Sequence, residues 1–455
     1  MENFTSLYFI GAGGIGMSAL VRYFLAKGYH VAGYDRTPSD LTEALINEGA
    51  EIVYDENSAL IPEYCRHPKT TLVVYTPAVP ESHNGFSYFR ENGFTIVKRA
   101  KLLGMITRTS KALCFAGTHG KTTTSSMAAH ILAQSPLECN AFLGGILKNY
   151  NSNLILSNTS EFTVIEADEY DRSFHQLSPY MAVITATDPD HLDIYGTEEA
   201  YLESFRYFTS LIQPGGALVI KKGIKVQPDV QKGVTIYQYS ADNGGDFHAQ
   251  NIRIGKGTII FDFVTPKEVI SDIELGVPVK INIENSVAAM AIAWLNGVDA
   301  VDIRKAMASF KGAKRRFDFW LKTANIVMID DYAHHPDELK ASITSVRALY
   351  PDKKISGIFQ PHLYTRTRDF YKEFAAALSL LDELILLDIY PAREQPIPGA
   401  TSKLIFDKVT CSNKELCHKD MLLEKIKQRN FEVLITLGAG DIDRMLPAIK
   451  EILSA

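Results

Sequence analysis

The sequence predicts an α/β protein whose three successive segments are each built on a sheet with crossover helices. Three observations carry that prediction. Short β-rich apolar runs alternate with stretches of helical periodicity along the whole chain. Each segment opens on a hydrophobic run: Leu7–Ile10, Lys111–Ala116 and Ile326–Asp330. The first two of those runs feed directly into glycine loops, Gly11–Gly16 and Gly117–Gly120. At 455 residues the chain is long enough for two or three domains with cores of their own.

In the first segment, the Gly11–Gly16 loop leads into a helical pattern through Leu20, Val21, Phe24 and Leu25. His30–Tyr34, Thr71–Tyr75 and Thr95–Val97 read as further strands of the same sheet. In the second, a helical stretch covers Met127–Leu132, and strands are expected at Phe162–Ala167, Met181–Thr185 and Ala217–Ile220. Val234–Tyr239, Ile252–Ile254 and Thr258–Phe263 are divided by glycine turns and predict a small antiparallel addition. A helix over Glu284–Leu295 returns the pattern to α/β. The third segment predicts strands at Ile355–Phe359, Glu383–Asp388 and Glu432–Leu437, a helix at Phe370–Leu381, and a closing glycine loop, Gly438–Asp441. The expected domains are 1–107, 108–320 and 321–455.

Composition narrows the class. Lys and Arg total 47 against 53 Asp and Glu, a formal charge of −6, so nothing draws the chain as a whole to nucleic acid. The longest strongly apolar stretch, Val287–Leu295, is too short to span a bilayer. Five cysteines without a C-x-x-C pair argue against a disulfide scaffold or structural zinc. Met1–Ser6 lacks the basic run of a secretory leader, and the expected location is the cytoplasm.

Gly117-Thr118-His119-Gly120-Lys121-Thr122-Thr123 carries the strongest chemical signal. A buried strand feeding glycines at a helix N-terminus lets main-chain N–H groups cradle phosphate oxygens. Lys121 can reach the outer phosphates of a nucleotide, and the Thr122 hydroxyl can ligate Mg²⁺. The loop is shorter than G-x-x-x-x-G-K-[ST], since Phe115 stands five before Gly120. The loop Gly11-Ala12-Gly13-Gly14-Ile15-Gly16, followed by Asp35, suits NAD or another nucleotide diphosphate equally, with Asp35 on the ribose hydroxyls. A second phosphate loop downstream favours transfer chemistry, which gains nothing from a hydride carrier. An NAD-dependent oxidoreductase is the alternative of a different class.

Glu166 and Asp168 close a predicted strand, on one face by alternation if the strand persists, and could hold Mg²⁺ opposite Lys121. His191, in Asp188-Pro189-Asp190-His191, adds a neutral ligand that leaves room for Mn²⁺. Asp330-Asp331-Tyr332-Ala333-His334-His335 and Gln360-Pro361-His362 with Arg366 follow strands of the third segment and mark a cleft there. Lys314-Arg315-Arg316 is too small a cluster for nucleic acid and better suits a phosphate contact at a domain junction.

The chain resembles the Mur ligase family. The resemblance rests on Gly11–Ser18, Gly117–Thr124, Glu166–Phe174, Lys314–Phe317, Asp330–Pro336 and Phe359–His362, six ordered motifs spread over all three segments. It implies an N-terminal Rossmann-like domain for a UDP-sugar, a central P-loop ATPase-like domain and a C-terminal Rossmann-like domain for the amino acid. The activity it implies is ATP-dependent ligation of L-alanine to UDP-N-acetylmuramate through an acyl phosphate, in peptidoglycan precursor synthesis. A ligase that joins a preformed tripeptide to the same sugar is the nearest alternative.

Carried over residue by residue, the resemblance places the UDP-sugar on Gly11, Gly13, Gly14, Gly16, Met17, Ser18 and Asp35. ATP falls on the Gly117–Thr123 loop with Asn285, Arg316 and Asp331. Mg²⁺, with Mn²⁺ as the alternative ion, falls on Thr122, Glu166 and His191. Tyr332, His334 and Arg366 match the amino-acid side, and Lys121, His191, His334 and Arg366 are the expected catalytic residues. A monomer or weak homodimer is expected. The chain departs from the family at Ile281, where relatives have His, and at Leu363, Tyr170 and Arg393.

Overall fold

The structure, a computed structural model, describes residues 4–76, 79–80, 83–190, 192–242, 244–392 and 394–454. Its strands form three sheets, the third of which begins at Asp318.

The first sheet contains β1 (Ser6–Ile10), β2 (His30–Tyr34), β3 (Glu51–Val53), β4 (Thr71–Tyr75) and β5 (Thr95–Lys98). The order is β3-β2-β1-β4-β5 and every pairing is parallel. Both faces are covered, as a parallel sheet requires. Phe9 packs with Leu20 and Phe24 of the Ile15–Ala26 helix on one side, and Tyr8 and Val73 pack with Phe86 and Phe89 on the other. Strand order reverses between β1 and β4, so the loops leaving their carboxyl ends diverge around a crevice.

The second sheet contains β6 (Lys111–Ala116), β7 (Asn140–Leu147), β8 (Ser152–Ile155), β9 (Phe162–Glu166) and β10 (Pro179–Ile184). It continues with β11 (Ala217–Lys221), β12 (Thr235–Ser240), β13 (Phe247–Gly255), β14 (Thr258–Val264) and β15 (Val269–Glu274). The order is β15-β14-β13-β12-β11-β10-β6-β9-β7-β8. β6 lies parallel between β9 and β10, which places the loop after β6 at a reversal of strand order.

Two expectations change here. β12 is not part of an antiparallel addition: it pairs parallel to β11, Ala217 opposite Thr235. The connection over residues 222–234 is long enough to return the chain to the starting end, which a tight turn is not. The strand Phe162–Glu166 also stops before Asp168, so Glu166 and Asp168 do not share a strand face.

The third sheet contains β16 (Asp318–Lys322), β17 (Val327–Asp331), β18 (Ile355–Phe359), β19 (Glu383–Leu387), β20 (Asn413–Cys417) and β21 (Val433–Leu437). Its order is β16-β17-β21-β18-β19-β20, parallel except for β16 at the edge. The helix expected at Phe370 begins earlier and runs Tyr364–Leu378.

The chain folds into two compact units, 1–250 with 262–271 and 284–309, and 251–261 with 272–283 and 310–455. Within the first unit, the β7–β8 hairpin is fastened to the Ile15–Ala26 helix by Asn153, which is fully buried. Its Nδ2 donates to the Ile15 carbonyl (2.5 Å) and the Ser18 hydroxyl (2.9 Å), and its Oδ1 accepts from Arg22 (2.6 Å). Both donors of this amide and its oxygen are thus engaged between the hairpin and the helix. No helix among the described residues is long and apolar enough to cross a membrane.

Candidate active site

The loop after β6 turns through Gly117 (φ +134°) and Gly120 (φ +85°) into the helix Lys121–Ala133. Neither position has space for a side chain: a Cβ on Gly117 would overlap the Thr185 hydroxyl, and one on Gly120 would lie 2.7 Å from Asn285 Oδ1. The helix has no side-chain cap, so its first N–H groups remain for a ligand. The Thr118 hydroxyl donates to the Asp188 carbonyl (2.7 Å) and lies 2.8 Å from the Tyr201 hydroxyl. Thr185 donates to the His119 carbonyl at 2.5 Å. The loop is therefore braced before any ligand arrives, with His119 exposed and Thr123 half-buried.

Lys121 folds across this loop. Its Nζ donates to the Gly117 carbonyl (2.7 Å) and lies 2.8 Å from both carboxylate oxygens of Glu169. Glu169 is only 1% exposed. Burial pushes its carboxyl above the usual range, and the Lys121 ammonium opposes that shift. Beside the pair, the Thr122 hydroxyl donates to Glu166 Oε1 at 3.1 Å. The Glu166 carboxylate lies against the main chain of Gly144, where a Cβ would overlap it. These neighbouring hydroxyl and carboxylate oxygens are a hard donor pair that fits Mg²⁺, an ion that keeps several waters and phosphate ligands. His191, the third expected ligand, lies outside the described residues.

In the first sheet, Gly11 (φ +89°) opens the other loop, and the Gly13 N–H donates to Asp35 Oδ2 at 2.7 Å. Asp35 therefore holds the loop itself through one oxygen. Gly14 caps the Ile15–Ala26 helix without a side-chain bond. Met17 and Ser18 are buried in that helix, and the main-chain N–H groups of both donate to the Gly14 carbonyl at 2.9 Å. Arg99 escaped the sequence reading. A Cβ on Gly16 would lie 2.5 Å from its Nη1, while its Nη2 donates to Asp168 at 3.4 Å. Lys98 pairs with Asp171 at 2.8 Å. The acidic segment after β9 thus pairs with Lys98 at the end of β5, with Arg99 beside the Gly11–Gly16 loop, and with Lys121 at the end of the Gly117–Gly120 loop. Glu169 was missed for the same reason as Arg99: its role lies in a pairing distant in sequence.

In the second unit, loops from the carboxyl ends of β17, β18, β19 and β21 gather. His334 Nδ1 lies 2.9 Å from the Tyr332 carbonyl, and its ring is 6.2 Å from that of His362. His362 stacks on Tyr390 at 5.9 Å and meets Arg366 at 3.5 Å. Burial, then Arg366 and His334, push the His362 imidazole pKa down and keep the ring neutral. Leu363 sits at φ +74°, an unusual conformation for a side-chain-bearing residue at the start of the Arg366 helix. Asp331 accepts from the Ser342 hydroxyl at 2.5 Å, and burial pushes its carboxyl up, opposed by that bond and by Arg316.

Within the basic triplet, Arg315 is the integrated residue. It stacks over Tyr332 at 4.8 Å and donates to the Gly438 (2.6 Å) and Gly440 (3.3 Å) carbonyls, bracing the closing glycine loop. It also lies 3.6 Å from the buried carboxylate of Asp330. The departure at Arg393 lies outside the described residues.

Three family models match in order along the chain: the Mur ligase family catalytic domain over residues 6–111, the Mur ligase middle domain over 115–293, and the Mur ligase glutamate ligase domain over 315–440. A UDP-N-acetylmuramate–L-alanine ligase of Parabacteroides distasonis is 67% identical, covering 99% of this chain and 97% of that protein. One from Phocaeicola vulgatus is 65% identical, with 99% and 98% covered. Among solved structures, the UDP-N-acetylmuramate–alanine ligase of Thermotoga maritima matches with a TM-score of 0.80 and 26% identity over 98% of both chains. A murein peptide ligase from Psychrobacter arcticus shares the fold, with a TM-score of 0.64 and 19% identity over 99% of this chain and 98% of that one. With its three-sheet fold and two glycine loops matched from end to end, the chain belongs to the Mur ligase family.

Proposed function

We propose that this protein joins L-alanine to UDP-N-acetylmuramate at the expense of ATP, with the domains 1–107, 108–320 and 321–455 carrying the sugar, nucleotide and amino-acid sites. The observation that carries the reading is the pairing of adjacent residues: Asp168 meets Arg99 beside the Gly11–Gly16 loop, and Glu169 meets Lys121 in the Gly117–Gly120 loop. Two phosphate-type loops linked through neighbouring residues suit a phosphoryl transfer between their ligands.

The chemistry follows from those positions. A UDP-sugar diphosphate lies on the Gly11–Gly16 loop, with Arg99 beside it and Asp35 holding the loop's shape. ATP lies on the Gly117–Thr123 loop, where Lys121 and main-chain N–H groups face charge developing on the transferred phosphoryl group. Thr122 and Glu166 hold Mg²⁺, which, when bound, neutralises phosphate charge. The lactyl carboxylate oxygen attacks the γ-phosphorus, ADP leaves, and the resulting acyl phosphate is attacked by the amine of L-alanine. Phosphate departs with its bridging oxygen and the amide remains. Tyr332, His334 and Arg366 form the amino-acid side, with Arg366 suited to the alanine carboxylate. Asn285, against Gly120, joins the nucleotide contacts.

The test is release of phosphate from ATP by purified protein with Mg²⁺. Release that requires UDP-N-acetylmuramate and L-alanine together supports the reading; release independent of the sugar contradicts it.

A further inference from the structure

Glu169 has no place in that chemistry, yet it occupies the most consequential position beside the nucleotide loop. A lysine ammonium has three donors. Here one goes to the Gly117 carbonyl and another to Glu169 Oε1, while Oε2 lies 2.8 Å from the ammonium as an ion-pair contact without a hydrogen bond. Two of the three donors of Lys121 are thereby committed, and its charge is neutralised, while this arrangement persists. The main chain that carries the carboxylate is also held. The Glu169 carbonyl accepts from the Tyr195 hydroxyl at 2.5 Å, Tyr195 packs edge-on against Tyr201 at 4.9 Å, and the Tyr201 hydroxyl returns to Thr118 in the loop. Tyr195, Tyr201 and Glu169 are all buried.

From this geometry we infer that Glu169 is a stand-in anion: in the nucleotide-free protein its carboxylate occupies Lys121 in place of a nucleotide phosphate, and it positions the ammonium over the loop. The inference rests on the reading of the Gly117–Thr123 loop as the nucleotide site. Its physical basis is competition for one cation. An incoming phosphate competes with the Glu169 carboxylate for the charge of Lys121, so the ion pair weakens nucleotide binding. In return, Lys121 stays paired and aimed when the site is empty, which avoids leaving a buried carboxylate uncompensated. Glu169 is a positioning residue, acting on the nucleotide through Lys121.

The experiment measures the dissociation constant of Mg–AMP-PNP for the full-length protein, for Glu169→Gln, and for both in a Lys121→Gln background, where the amide can still donate to residue 169. Glutamine keeps the shape of Glu169 without its charge. The expected result is at least fivefold tighter binding in Glu169→Gln, an intermediate gain in Glu169→Asp, and less than twofold change when Lys121 is already Gln. The dissociation constant for UDP-N-acetylmuramate serves as the folding control and is expected to stay constant. Unchanged or weaker AMP-PNP binding in Glu169→Gln overturns the inference, as does a lowered melting temperature without any affinity change. Equal tightening in both Lys121 backgrounds also overturns it, since the effect is then general repulsion. Should Glu169→Gln not fold, Glu169→Asp decides by the direction of its change. Failure of the unaltered protein to bind AMP-PNP at all refutes the nucleotide reading instead.

Discussion

The guanidinium of Arg99 lies 3.4 Å from the Asp168 carboxylate while covering Gly16, so one side chain just after β5 touches both the Gly11–Gly16 loop and the acidic segment after β9. A planar fork can serve an acidic partner and a diphosphate together, whereas a lysine offers a single point charge. Arg99→Lys is expected to raise the KM for UDP-N-acetylmuramate at least tenfold with little change in the KM for ATP. Steady-state kinetics varying each substrate checks this, and a change confined to ATP rejects the assignment.

Lys121→Ala is expected to lower turnover by roughly 10²–10⁴, the value of about 3–5 kcal/mol of transition-state stabilisation. It also carries a stability cost that a loop lysine does not ordinarily have. Glu169 is left buried and unpaired, a loss of about 3–5 kcal/mol for a buried pair broken on one side. Adding Glu169→Gln to Lys121→Ala is expected to recover most of that stability and none of the activity. Urea denaturation beside single-turnover assays separates the two effects.

Asp330 predicts a pH dependence of stability. Burial raises its pKa from 3.8 to about 7, against the Thr436 hydrogen bond and the nearby Arg315. A carboxyl with a raised folded-state pKa stabilises fully below its unfolded value, and that contribution is lost as pH rises from about 4 to about 7. Asp330→Asn removes the titration while keeping the hydrogen bond from Thr436. Relative to Asp330→Asn, the unaltered protein is expected to lose about 2 kcal/mol between pH 5.5 and pH 7.5. Parallel urea midpoints for the two proteins across that range would count against this assignment.

Arg366 and Arg368 sit two residues apart on one helix with different surroundings. Arg366 meets the neutral His362, whereas Arg368 is paired with Asp369 on the surface at 2.7 Å. Arg366→Lys is expected to raise the KM for L-alanine or lower kcat at least tenfold, and Arg368→Lys to change neither by more than twofold. Kinetics with alanine as the varied substrate tests the pair, and equal behaviour returns Arg366 to the solvated surface.

Much of this was legible because apolar periodicity and glycine position are local properties. β1, β6 and β18 lie where apolar runs predicted them, and Gly117 and Gly120 adopt positive φ beside Lys121. What escaped depends on pairing across the chain. Alternation placed Asp168 beside Glu166, but β9 ends at Glu166 and Asp168 turns toward Arg99, 69 residues away. The β7–β8 hairpin was hidden because Gly144 and Gly145 interrupt its strand pattern, and Gly144 leaves space for the Glu166 carboxylate. Arg315 and Arg316 are indistinguishable by composition. They separate only because Arg315 (φ +61°) and Phe317 (φ +46°) bend the main chain and direct Arg315 onto Tyr332.

The central claim is the acceptor. Purified protein supplied with ATP, Mg²⁺ and UDP-N-acetylmuramate should be given L-alanine and, in parallel, the preformed stem tripeptide, with the amide product identified by mass. The account predicts kcat/KM at least a hundredfold higher for L-alanine, with one ADP and one phosphate released per amide formed. Faster turnover with the tripeptide would contradict it.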